Sequence, residues 1–108
     1  MTPAEVGRAW FAEGGPLLRG MLVRGPDGSF ADDDDSDAST DGLVLDVEDA
    51  ASVGAMLSAV REKYGDPHLF VRWSTSRGCW LCCRWDTVTV VRGESEAEAL
   101  LAAWRAGG

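Results

Sequence analysis

Residues 68–105, HLFVRWSTSRGCWLCCRWDTVTVVRGESEAEALLAAWR, decide the fold of this 108-residue chain. The stretch holds four of the five tryptophans and alternates apolar with polar residues in three short runs. A period of two is the signature of strands with two unlike faces. Leu69, Val71 and Trp73, then Cys79, Leu81, Cys83 and Trp85, then Val88 and Val90 form the expected core set. Phe70, Arg72 and Ser74, then Trp80, Cys82 and Arg84, then Thr87, Thr89 and Val91 form the other face. Ser76-Arg77-Gly78 marks a turn between the first two runs. Ser95-Glu96-Ala97-Glu98 has the form of a capping box and opens a helix that packs Ala99, Leu100, Ala103 and Trp104 on the sheet.

Working outward, Asp49 caps a helix of about 15 residues whose stripe is Val53, Met56, Leu57, Val60 and Tyr64, and Gly65-Asp66-Pro67 stops it. Leu43–Val47 is a short strand. Thr2-Pro3-Ala4-Glu5 starts an N-terminal helix, with Val6 and Trp10 on one side and Gly14-Gly15-Pro16 at its end. Leu17–Arg24 predicts a strand that enters the turn Gly25-Pro26-Asp27-Gly28. The expectation is one α+β domain over 1–108, with a small, mostly antiparallel sheet of three to five strands and helices packed on it. Within it, 1–30 form a helix and hairpin, 31–42 a mobile acidic loop, and 43–108 the α/β core. The order from about residue 49 is α-β-β-β-α.

That order, with the GESEAEALLAA pattern at 93–103, resembles the double-stranded-RNA-binding-domain-like architecture over residues 49–105. It is also similar to small phage sandwich proteins and HicB-type antitoxin domains. The RNA-binding members grip phosphate with lysines at the start of the last helix. Glu96, Ala97 and Glu98 stand there in this chain, so the resemblance implies the architecture without the RNA-binding surface.

Net charge is −8, which speaks against nucleic acid as a ligand. The charge is uneven: residues 1–67 carry net −9, residues 68–92 net +3 and residues 93–108 net −2. No apolar run approaches the roughly 18 residues of a membrane span. The first residues lack a basic start followed by an apolar stretch, and the three cysteines are clustered and odd in number. A cytoplasmic product without a disulfide framework is the expectation.

Asp37-Ala38-Ser39-Thr40-Asp41-Gly42-Leu43-Val44-Leu45-Asp46-Val47-Glu48 follows the calcium-loop template. Asp37, Ser39 and Asp41 take its first three ligand positions, Gly42 the sharp turn and Glu48 the bidentate position. No entering helix precedes it, and Leu45 offers no ligand. Cys79, Cys82 and Cys83 with His68 offer zinc ligands or a Cys–His nucleophile. A straight strand turns Cys82 away from the other two, and no oxyanion hole or glycine-rich phosphate loop accompanies them. Gly107-Gly108 matches the end of ubiquitin-like carriers and equally an ordinary helix stop. The remaining constellation is the aromatic and arginine face, with Phe70, Arg72, Trp80 and Arg84 as one contact surface. Asp32, Asp33, Asp34 and Asp35 would steer a basic partner toward it. The reading is a non-catalytic protein-binding module of phage, antitoxin or immunity type, with self-association through the outer sheet face as a variant. The alternatives are a calcium module and, below it, a Cys/His enzyme or zinc protein.

Overall fold

The computed structural model describes residues 2–25, 30–31, 43–84 and 89–107. Its elements are α1 (Pro3–Ala12), β1 (Val23–Arg24), β2 (Phe30–Ala31), β3 (Val44–Leu45), α2 (Ala50–Tyr64), β4 (Phe70–Ser74), β5 (Cys79–Cys83), β6 (Thr89–Gly93) and α3 (Glu96–Ala106). The architecture is α+β, with α-β-β-β-α in the second half. Two compact units divide the chain, Met1–Ala55 and Met56–Gly108, and the division falls inside α2.

In the first unit, α1 begins as its sequence dictates. The Thr2 hydroxyl accepts from the Glu5 backbone N–H at 3.2 Å and the Glu5 carboxylate accepts from the Thr2 N–H at 3.4 Å. Together they satisfy two donors that a bare helix start leaves open. After Ala12 the chain turns through Gly14, whose φ of 82° favours glycine. The Trp10 indole then donates to the Pro16 carbonyl at 3.1 Å, which folds the exit back over the buried ring.

The first sheet has strand order β2-β1-β3, with both pairings antiparallel. The predicted strand at Leu17–Arg24 shrinks to Val23–Arg24, because Gly20 turns at φ 92° and Met21 is reached through a Leu18–Met21 turn. Helix α1 lies close on β3 at Gly7. A side chain there would overlap the Leu45 carbonyl, so only glycine admits the approach.

Asp49 caps α2 as expected: its carboxylate accepts from the Ser52 N–H at 3.1 Å. The buried Ser52 hydroxyl donates to the same carboxylate at 3.2 Å and accepts from the Leu22 N–H at 2.7 Å. A three-member relay thus ties the cap of α2 to the approach to β1.

In the second unit the strand order is β4-β5-β6, antiparallel throughout. Helix α3 is capped by Ser95, whose hydroxyl accepts from the Glu98 N–H at 3.1 Å. It buries Ala97, Ala99, Leu100, Leu101 and Ala103. Its first turn presses on β6 at Gly93, where a side chain would overlap the Ala99 backbone. The end of α2 grips the end of α3. Tyr64 Oη donates to the Ala103 carbonyl at 2.7 Å, and Lys63 Nζ donates to the Trp104 carbonyl at 2.9 Å while lying 3.9 Å from the centre of its ring. Arg61 Nε donates to the Leu69 carbonyl at 2.7 Å, fixing the entry to β4.

Three substitutions check this account in urea denaturation. Gly7→Ala forces α1 off β3 and should lower stability by about 3 kcal/mol or more. Ser52→Ala leaves the Leu22 N–H without its acceptor and should cost about 1–3 kcal/mol. Gly54→Ala meets nothing within 4 Å. It lies in the body of α2, where alanine is the better helix former, and should add about 0.5–1 kcal/mol.

Candidate functional site

The hairpin of β4 and β5 carries the candidate surface. Its loop is Thr75-Ser76-Arg77-Gly78, with Gly78 at φ 64°. Ser74 holds it: its carbonyl accepts from the Gly78 N–H at 2.8 Å and its hydroxyl accepts from the Arg77 N–H at 3.3 Å. Ser74 is buried in this role.

An even loop of four residues sets the register. Ser74 pairs with Cys79, Trp73 with Trp80, Arg72 with Leu81, Val71 with Cys82 and Phe70 with Cys83. Directly paired residues share a face. One face therefore holds Val71, Trp73, Trp80 and Cys82, continued on β6 by Val91 and Gly93. The other holds Phe70, Arg72, Ser74, Cys79, Leu81 and Cys83, continued by Arg92. Alternation within each strand is as read from the sequence, but the relative phase of the two strands is not. Trp73, assigned to the core, is 47 % exposed, and Cys82, assigned to the outer face, is fully buried.

The expected surface of Phe70, Arg72, Trp80 and Arg84 is accordingly split. Phe70 and Arg72 lie on the face opposite Trp80. Arg84 stands just past the end of β5, exposed, with Nε 3.7 Å from a carboxylate oxygen of Asp66. What the structure brings together is Trp73 and Trp80, whose rings meet edge to face with centroids 5.7 Å apart and planes at 69°. Trp73 is the exposed large hydrophobic residue among those described. Sequence reasoning missed it, although counting the four residues between Ser74 and Cys79 would have placed it beside Trp80. On the opposite face Arg72 and Arg92 both pair with the buried Leu81 and are both exposed. Among the described residues, neither arginine forms an ion pair.

The cysteines do not converge. Cys79 and Cys83 share one face but lie four residues apart along β5, and Cys82 is on the other. None of the three is in a disulfide. Among the described residues, no group of three histidine, cysteine or acidic side chains is placed to hold a metal. Burial first, and the neighbouring Cys83 second, push the Cys82 thiol up to about 11. That is the reverse of an activated nucleophile. Burial, then Cys82, also raises the Tyr64 hydroxyl.

Of the calcium-loop ligands, Asp37, Ser39 and Asp41 lie outside the described residues, as do Asp32, Asp33, Asp34, Asp35 and Gly108. Glu48 is described: it is exposed, and its backbone N–H donates to Asp46 Oδ1 at 3.1 Å. Nearby, a cleft of about 440 Å³ is lined by Pro3, Leu22, Arg24, Val44, Asp46 and Glu48 among others. Two of its charged groups, Arg24 and Asp46, lie 3.6 Å apart as an ion pair.

No family model, no characterised protein and no solved structure matches the chain. No helix among the described residues is long and apolar enough to cross a membrane.

The thiol geometry has two measurable consequences. Iodoacetamide at pH 8 should modify the partly exposed Cys79 of the native protein well before the buried Cys82, whose thiol burial pushes up to about 11. Peptide mapping reads the order. The raised folded-state pKa also has a sign: the unfolded chain ionises Cys82 first, near 9.0, and the folded chain only near 11. Its contribution is intact below that lower value and is lost as pH rises through the higher one. Melting temperature should fall over this window, and Cys82→Ala should flatten the fall.

Proposed function

We propose that this chain is a non-catalytic protein-binding module that regulates or neutralises a partner protein, in the manner of small phage, antitoxin or immunity proteins. The observation that carries it is the Trp73–Trp80 pair on the β4–β5 hairpin. Leaving an indole 47 % exposed forgoes hydrophobic stabilisation. Tryptophan and arginine are also among the residues most enriched in binding hot spots. Arg72 and the turn residue Arg77 are exposed on the same hairpin. The pairing of Trp73 with Trp80 fixes both rings before a partner arrives, which reduces the side-chain ordering that binding would otherwise require.

The cysteines support the same reading over an enzymatic one. Burial pushes the Cys82 thiol up to about 11, away from the thiolate a nucleophile needs, and Cys82 lies on the opposite face of β5 from Cys79 and Cys83. The N-terminal acidic segment would steer a basic region on the partner, most strongly at low salt, with the tryptophans making the short-range contact.

Native mass spectrometry of the protein purified from its own source tests the proposal. A stoichiometric partner mass is expected with the natural chain. Trp73→Ala should weaken that complex at least about 30-fold, as hot-spot truncations of roughly 2 kcal/mol do. The variant should stay folded, losing only about 0.5–1.5 kcal/mol for the aromatic pair. Equal partner capture by the folded variant would reject this surface.

A further inference from the structure

We propose that the free edge of β4 takes an added strand, an extended segment of the partner protein in which apolar residues alternate with acidic ones. This rests on the hairpin being the partner-binding surface and names how that surface is read. Strand β4 is the end member of the β4-β5-β6 sheet. Arg72 and Trp73 are neighbours that point to opposite faces, and both are exposed. A strand lying along the edge at that point would shade both, and among the described residues β4 pairs with β5 alone.

An open edge presents a row of backbone N–H and C=O groups to a new strand. Natural proteins blunt such edges with proline, bulges or short length. Strand β4 contains no proline and keeps five regular pairs with β5, while the sheet's register shift lies between β5 and β6. Its one blunting device is the charge of Arg72 at its centre. In a symmetric antiparallel pairing of two copies, Arg72 would lie opposite its own counterpart, which like charge disfavours. The same residue favours a carboxylate on an added strand.

Register then dictates the chemistry of the guest. A residue beside Val71 or Trp73 lies on the tryptophan face and is best apolar or β-branched. The residues between fall on the Arg72 face and are best acidic. Residues 68–92 carry net +3 despite the chain's −8. At physiological salt, screening confines the influence of the other acids to about 8 Å.

The test is a titration of the ¹⁵N-labelled full chain with two blocked heptapeptides, one alternating valine with glutamate and one alternating valine with lysine. The glutamate peptide should shift the amides of Val71, Arg72 and Trp73 and the Trp73 indole N–H. It should bind at least about fivefold more tightly than the lysine peptide at physiological salt, where the chain's other acids are screened. Arg72→Glu, at an exposed position, should reverse that preference. Absence of these shifts at millimolar peptide, shifts confined to other elements, or an unchanged preference in Arg72→Glu would overturn strand addition. Concentration-dependent shifts of the same amides without peptide would overturn it in favour of self-pairing. Loss of partner capture in Trp73→Ala without a β4 response removes strand addition alone. A β4 response with capture unaffected by Trp73→Ala removes the proposed role of the tryptophan pair instead.

Discussion

The hold of Ser74 on a four-residue loop governs the second half of this molecule. Three hydrogen bonds tie the loop to one buried serine and close an even number of residues, four, between Ser74 and Cys79. An even spacing pairs odd residues of β4 with even residues of β5. Everything said of the two sheet faces follows from that parity. A one-residue slip of β5 against β4 would exchange the faces of one strand relative to the other, uncoupling Trp73 from Trp80.

Helices are attached by a different means, the removal of side chains. Gly7 lets α1 touch the Leu45 carbonyl, and Gly93 lets the first turn of α3 touch β6. At such distances backbone packs on backbone, and dispersion contacts replace those a side chain would have made. Among the described residues, every buried polar side-chain atom has a hydrogen-bond partner. Ser52 serves as acceptor for Leu22 and donor to Asp49, so the cap of α2 and the approach to β1 share one hydroxyl.

Much of this was legible in the residues. Caps were the clearest, because Thr2, Asp49 and Ser95 act on donors three residues away and need no tertiary information. The element order of the second half and the stripe of α2 around Met56 and Val60 also follow from local periodicity. The candidate site was only half legible. Periodicity states which residues of one strand share a face, but the phase between strands belongs to the loop. Phe70, Arg72, Trp80 and Arg84 therefore looked like one surface and are not. The first sheet was hardest to read, since two-residue strands such as Val23–Arg24 and Val44–Leu45 are too short to show a period at all.

The two close-approach glycines also bear on how this fold could drift. Most positions of a small domain accept substitution so long as hydrophobic volume is kept, and a lineage soon loses its recognisable pattern. Gly7 and Gly93 have no such latitude, because even alanine would displace a backbone rather than a side chain. Together with Ser52 they form a three-residue fingerprint that selection on folding alone would preserve. Distant descendants of this chain would keep these three residues after much of the exposed surface had been rewritten.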